Sequence, residues 1–260
     1  MAALIERHGG RATVVPSMRE IPLAENQHAI DFAQDLIAGR IDIVLFMTGV
    51  GTELLFEIVE RHADPAAFLA ALEKCRIAVR SPKPATVLNK RRVRIDWKTP
   101  EPNTWRQMLA ILEQHDLNGK TIAIQEYGKP NEEFREEMEK LGATVIGVPI
   151  YRWDLPEDVS ALETAINQMI AGDFDVSLFT SAQQAENVLE VADQIRKRKP
   201  FLAALHSRIV ASIGPTCSEA LRAHGLPPDI EASPPKMGNL VRRVLQDGSA
   251  ILENKENHAC

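Results

Sequence analysis

Phe68-Leu69-Ala70-Ala71-Leu72 recurs as Phe201-Leu202-Ala203-Ala204-Leu205, 133 positions downstream, and this recurrence decides how the chain is read. The same shift, without a gap, lays Gly9 on Gly142, Pro16 on Pro149, Gly39 on Gly172, Asp42 on Asp175 and Phe46 on Phe179. It also lays Ile77-Ala78 on Val210-Ala211, Pro82 on Pro215 and Pro102 on Pro235. Matches at glycines, prolines and apolar runs in one register mark a duplicated structural unit.

The later copy spells out that unit. Thr121-Ile-Ala-Ile-Gln125 reads as a short strand, residues 131–141 as a charged helix stopped by Gly142, and 144–151 as a second strand. A helix over 161–171 leads to the strand 176–180, and a helix from 182 to about 192 precedes the strand 208–213. The helix 216–223, a short strand near Ile230 and a closing helix 237–245 complete the copy. Strands that alternate with helices build parallel sheets, and strands apolar throughout are covered on both faces. The expected fold is therefore α/β. It comprises two flavodoxin-like, doubly wound domains of strand order 2-1-3-4-5, joined by a two-stranded linker.

Two proline-bearing segments, residues 17–23 and 150–156, occupy equivalent places after a strand and read as hinges. With linkers at 18–23 and 150–155, one domain is residues 24–149. The other is residues 1–17 with 156–260. By the same offset, the counterpart of the strand 121–125 would fall before Met1. The first domain is thus expected to lack its opening strand, and a chain supplied with one to be more stable or more active.

Composition narrows the function. The 260 residues are 45% hydrophobic and 25% charged, with a net charge of −6, so no basic face for nucleic acid is expected. The one basic run, residues 196–199, reads as a solvated helix end. Cys75, Cys217 and Cys260 form no C-x-x-C pair, and the seven histidines show no ligand spacing, which suits a reducing, cytoplasmic setting without a metal. No apolar run approaches the ~20 residues of a membrane span, and the first eight residues read as an amphipathic helix fragment.

Ligands of parallel α/β sheets bind at the carboxyl ends of the strands. Here those loops read Met47-Thr-Gly-Val-Gly51, Arg80-Ser-Pro-Lys-Pro84, residues 99–105 and Gln125-Glu-Tyr-Gly-Lys-Pro130. In the other copy they read Phe179-Thr-Ser-Ala-Gln183, Ile213-Gly-Pro-Thr-Cys217 and Ser233-Pro-Pro-Lys-Met-Gly238. With Pro149-Ile-Tyr-Arg152, the ordered set resembles uroporphyrinogen-III synthase of bacterial type over nearly the whole chain. The specific part is Ser212-Ile-Gly-Pro-Thr-Cys-Ser-Glu-Ala-Leu221 together with residues 235–238 and 101–105.

The resemblance implies cofactor-free cyclisation of hydroxymethylbilane, a linear tetrapyrrole with eight carboxylates. The terminal hydroxyl leaves, ring D inverts through a spiro intermediate, and the macrocycle closes with the substrate held between two domains. Tyr151 matches the family's hinge tyrosine, which implies assistance to hydroxyl departure. Substrate contacts are expected at Thr48, Gly49, Val50 and Gly51, at Ser81, Pro82 and Lys83, and at Asn103 and Thr104. They are also expected at Tyr127 and Gly128, at Thr180, Ser181 and Ala182, at Gly214, Pro215 and Thr216, and at Lys236 and Met237.

An octa-anion suits many dispersed backbone donors, since a helix N-terminus contributes about 0.3–1 kcal/mol to a nearby anion. Gly49, Gly51, Gly128 and Gly214 would let carboxylates approach the backbone. Lys83, Lys129, Arg152 and Lys236 would add charge at the rim. The hydroxyls of Thr48, Thr180, Ser181 and Thr216 suit acid side chains of the ligand, or else cap helices. Ser81 stands where Gly214 stands in the other copy and where relatives usually have glycine.

The expected partner is thus the small-molecule substrate of a monomer, with no nucleic acid and no membrane. A non-catalytic two-domain binding protein of the same fold is the alternative. A nucleotide site is disfavoured because Gly49-Val-Gly51 lacks the third glycine of the fingerprint.

Overall fold

The computed structural model describes residues 1–23, 26–126, 128 and 130–258. Its chain divides into two compact units, one of Met1–Arg19 with Asp154–Cys260 and the other of Glu20–Trp153. The elements run in order α1 (Ala2–Arg7), β1 (Arg19–Pro22), α2 (Gln27–Ile37), β2 (Ile43–Phe46), α3 (Gly49–His62), α4 (Pro65–Leu72), β3 (Arg76–Val79), α5 (Pro82–Lys90) and β4 (Trp97–Lys98). They continue with α6 (Trp105–Leu112), β5 (Thr121–Glu126), α7 (Glu132–Lys140), β6 (Thr144–Pro149), β7 (Tyr151–Asp154), α8 (Ser160–Ala171), β8 (Val176–Phe179) and α9 (Ala182–Gln194). The last are α10 (Arg198–Ser207), β9 (Ile209–Ser212), α11 (Pro215–Ala223), β10 (Ile230–Glu231) and α12 (Met237–His258).

In the Glu20–Trp153 unit, five parallel strands lie in the order β4-β3-β2-β5-β6. The strands are apolar because helices cover both faces. Ile43 and Leu45 join Ile122, Ile124, Met108 and Phe134 in one core. Val44 and Phe46 join Ile77, Val79 and Ala123 in the other, beneath α2–α5. Each large side chain so buried contributes about 1.5–3 kcal/mol. Phe68, from the duplicated pentapeptide, is fully buried and meets Phe32 and Phe56 edge-on. Its helix starts where it does because Asp64 accepts from the amides of Ala66 (2.9 Å) and Ala67 (3.1 Å) ahead of Pro65.

The other unit carries the parallel sheet β10-β9-β8. Shifted by 133, the ends of β2, β3 and β4 fall on those of β8, β9 and β10, and so does the hydrogen-bond register. Ile43 faces Arg76 as Val176 faces Ile209, and Ala78 faces Trp97 as Ala211 faces Ile230. One side-chain device recurs as well. Asp96 accepts from the amide of Ile77 at 2.9 Å, and Asp229 from that of Val210 at 2.8 Å. β1 and β7 form a two-stranded sheet of their own.

Three expectations are corrected. Residues 11–16, which the offset lays on β6, form no strand. β6 is held along its length by pairing to β5, and no strand among the described residues takes β5's place beside β8. The strand read over 144–151 is broken at Ile150: β6 ends at Pro149, which has no amide hydrogen, and the chain passes into β7. The closing helix runs to His258 rather than 245. Its extension is anchored where the Lys255 ammonium donates to the carbonyls of Arg208 (2.7 Å) and His206 (3.1 Å) and to Asp229 (2.7 Å). Residues 196–199 are largely exposed at the junction of α9 and α10, and Cys260 lies outside the described residues. Among the described residues, no helix is long and apolar enough to cross a membrane.

Candidate functional site

The order β4-β3-β2-β5-β6 has its switch point between β2 and β5. From there the sheet grows in opposite directions, and the following helices leave on opposite faces. The carboxyl ends of two such strands open a crevice. The loop after β2 is Met47-Thr48, and Thr48 caps α3 by accepting from the amide of Gly51 at 3.1 Å. Its Oγ1 also lies 3.2 Å from the Tyr151 hydroxyl. Tyr151 is the first residue of β7 and is 3% exposed. Burial pushes its phenol above the ordinary tyrosine range, and the charge of Glu20 adds to this. The Thr48 hydrogen bond and the positive charge of Arg80 oppose it.

Gln125, buried at the end of β5, holds this loop in place. Its Oε1 accepts from the amides of Met47 (3.3 Å) and Thr48 (3.1 Å), and its Nε2 donates to the carbonyl of Glu126 at 2.7 Å. The space above Gly51 is filled by that amide group, which would lie 2.2 Å from an added Cβ. Gly49 packs against Lys83, 3.1 Å from such a Cβ, so the N-termini of α3 and α5 sit side by side. Val50 points outward and is exposed.

Arg80 ends the apolar run of β3, with its amide donating to the carbonyl of Phe46 at 3.0 Å. Burial pulls its guanidinium down to about 10, and the neighbouring Tyr151 opposes that shift. Asn103, in its hydrogen-bonded amide orientation, donates to the carbonyls of Thr99 (3.1 Å) and Arg80 (3.2 Å). Thr104 caps α6 in a reciprocal box with Gln107. Ser81 precedes Pro82 at the start of α5 without capping it, and Lys83 is exposed.

Next to this cluster, Glu126 is 8% exposed, with Arg135 4.0 Å away and Oε1 without a hydrogen-bond partner among the described residues. Burial pushes its carboxyl upward. Its oxygens lie over Gly147, where an added Cβ would meet them at 2.7–2.8 Å.

In the other unit, Ser181 caps α9 by accepting from the amide of Gln184 at 3.3 Å. Thr180 donates through both its amide (2.8 Å) and hydroxyl (3.0 Å) to the Gln184 side chain. Ala182 opens α9. Buried Asn187 ties that helix to residue 17 by donating to the Ser17 carbonyl at 2.7 Å. Gly214 caps α11 ahead of Pro215, and Ser212 and Ser218 form a buried hydroxyl pair at 2.9 Å. Lys236 and Met237 are exposed at the start of α12.

The structure thus brings Thr48, Gly49, Gly51, Lys83, Asn103 and Tyr151 into one connected cluster, while Arg152 is exposed on β7. Tyr127 and Lys129 lie outside the described residues. Two readings are corrected. The glycines were expected to admit carboxylates to their backbone, but three of their amides already donate: Gly51 to Thr48, Gly128 to the Tyr151 carbonyl and Gly214 to Ser212. Gly128, at φ +66°, is glycine because the Trp153 ring occupies the Cβ position. Thr216 is no cap; it sits exposed within α11 after Gly214. The site residues that the motifs did not reveal are Gln125 and Arg80. Each is a polar residue closing an apolar strand, and that mismatch is the signal that points to them.

A sequence profile described as uroporphyrinogen-III synthase HemD matches residues 1–242. The uncharacterized protein YjjA of Bacillus subtilis (strain 168) is 28% identical over 249 residues, covering 93% of this chain and 88% of its own. The crystal structure of uroporphyrinogen III synthase from the extremely thermophilic bacterium Thermus thermophilus superposes with a TM-score of 0.54 at 25% identity, over 94% of this chain and 92% of that one. The Helicobacter pylori 26695 uroporphyrinogen-III synthetase structure, 14% identical over 91% of this chain and 92% of its own, shares the fold with a TM-score of 0.51. Matched by that profile over most of its length, this chain belongs to the uroporphyrinogen-III synthase family.

Proposed function

We propose that the chain is a uroporphyrinogen-III synthase that cyclises hydroxymethylbilane with inversion of ring D and loss of water. The observation that carries this reading is the Tyr151–Thr48 hydroxyl pair at the switch point of the sheet. The Tyr151 phenol donates a proton to the departing hydroxyl as the carbon–oxygen bond breaks, and water leaves. Thr48 Oγ1, fixed by the Gly51 amide, orients the phenol. Burial keeps Tyr151 protonated at neutral pH, the state an acid needs.

The cation left behind is attacked by the substituted carbon of ring D, giving the spiro centre. Ring D then re-forms in the inverted sense, and the proton lost on closure returns to the phenolate. Restraint of geometry matters more than acid strength, because free cyclisation gives the uninverted isomer. Substrate carboxylates are assigned to the helix starts at Thr48–Val50, Ser81–Lys83, Asn103–Thr104, Thr180–Ala182, Pro215–Thr216 and Lys236–Met237. Lys83, Arg152 and Lys236 supply further positive charge to the carboxylates.

The test supplies enzymatically generated hydroxymethylbilane and separates type I from type III products by chromatography. Type III product is expected, reduced about 10²–10⁴-fold in Tyr151→Phe. Type I product alone, with ligand binding still measurable, would replace this reading with a non-catalytic binding protein.

A further inference from the structure

The two copies of the repeat meet one need in two ways. Each opens a helix after an equivalent strand, and the offset lays Met47, Thr48 and Gly51 on Thr180, Ser181 and Gln184. In the later copy Gln184 serves its own helix start: its side-chain oxygen accepts from the Thr180 amide at 2.8 Å. In the earlier copy the corresponding amide, that of Met47, also donates to a glutamine oxygen, at 3.3 Å, but this glutamine is Gln125 of β5. Glycine at 51 admits it, since the space that a side chain there would enter holds the Gln125 amide group. A glutamine amide thus serves both helix starts, supplied from the helix itself in one copy and from a neighbouring strand in the other.

Supply from β5 ties together parts of the chain that a local glutamine would leave separate. Gln125 also accepts from the Thr48 amide at 3.1 Å, and its Nε2 donates to the Glu126 carbonyl at 2.7 Å, so the loop after β2 is fastened to the end of β5. Tyr151 is held from both sides of that junction. Its hydroxyl lies 3.2 Å from Thr48 Oγ1, and its carbonyl accepts from the amide of Gly128, two residues past β5, at 3.3 Å.

We propose that Gln125 is a positioning residue for Tyr151, its side-chain amide fixing the Thr48 hydroxyl against the phenol. The catalytic part of this assignment rests on the reading of Tyr151 as proton donor. Misplacing a reacting group by about 1 Å costs about 10²-fold in rate, so a tie of this kind registers in turnover as well as in stability.

Gln125→Ala removes the amide group, and Gln125→Met removes its hydrogen bonds while filling its space. Gly51→Gln combined with Gln125→Ala moves the glutamine to the position it holds in the later copy. Ring resonances of isotope-labelled tyrosine report the placement of Tyr151 without substrate; the chain has two tyrosines, and Tyr127→Phe assigns them. Both single variants are expected to shift the Tyr151 resonance. They are also expected to lower kcat about tenfold or more, with a smaller change in KM, at a temperature where circular dichroism shows a folded chain. The double variant is expected to return the resonance and most of kcat.

An unmoved Tyr151 resonance in both single variants overturns the proposal, even where the parent chain makes type III product. Lower thermal stability with kcat unchanged also overturns it, since that marks a tie that serves the fold alone. A double variant that regains stability but neither the resonance nor kcat does the same, and the single variants decide by themselves should it not fold. A shifted resonance in a parent that makes no type III product upholds the positioning of Tyr151 and removes the catalytic reading instead.

Discussion

Single residues here are decided by what lies beside them. Gln125 closes an apolar strand, and only its neighbours explain it: two hydrogen bonds pin the loop that presents Thr48, and a third, donated to the Glu126 carbonyl, fixes the side-chain amide that accepts them. Gln125→Leu strips the acceptor from the buried Met47 amide and the half-buried Thr48 amide, and unsatisfied buried groups cost about 1–3 kcal/mol each. Denaturant melts are expected to show a loss of about 2–4 kcal/mol, and a loss well below that would mean the loop is held otherwise. Glu126 behaves in the opposite sense. Its folded carboxyl titrates above the ordinary value because it is buried. Between the two values, the folded chain keeps a proton that the unfolded chain has lost. Stability therefore falls as pH rises through that window and stays lower above it. Glu126→Gln should melt higher than the parent at neutral pH and match it below about pH 4. Equal melting temperatures at neutral pH would show that Arg135 already compensates the buried charge.

At the scale of elements, β2 and β8 share register and sequence position but not surroundings. β2 lies between β3 and β5, with all four residues buried, whereas β8 pairs only with β9 among the described residues, and Val176, Ser177 and Leu178 are half-buried. An edge strand opens more readily than a central one. Amide exchange is expected to be about tenfold or more faster over Val176–Phe179 than over Ile43–Phe46. Equal protection would mean that residues 11–16 or another segment covers the edge in solution. Most elements could be read from the residues because caps and stops are local signals: Asp64 before Pro65, Asn131 before a charged helix, and Gly172 at φ +87° after α8. Residues 11–16 could not be read in that way. Arg11-Ala-Thr-Val-Val-Pro16 has strand chemistry, but a strand needs a neighbour to bond with, and that neighbour is a property of the sheet.

Across the whole molecule, the duplication carries most of the information. A gap-free offset of 133 marks two copies of one plan, and the structure shows that the copies also share their strand register. Family membership was also legible, since the loops at strand ends keep their order along the chain. The roles within the site were less so. Thr48 and Tyr151 stand 103 positions apart, and nothing local says that their hydroxyls meet. The glycines, read as openings for a ligand, proved at Gly51 and Gly128 to be spaces filled by Gln125 and Trp153. Periodicity, capping residues and the internal repeat are short-range or self-referential patterns, so the sequence by itself determined the α/β class, the elements and the duplicated plan. Packing partners and buried charges arise between residues distant in the chain. Hence only the tertiary structure decided that Gln125 anchors the Thr48 loop and that the Thr48 and Tyr151 hydroxyls meet.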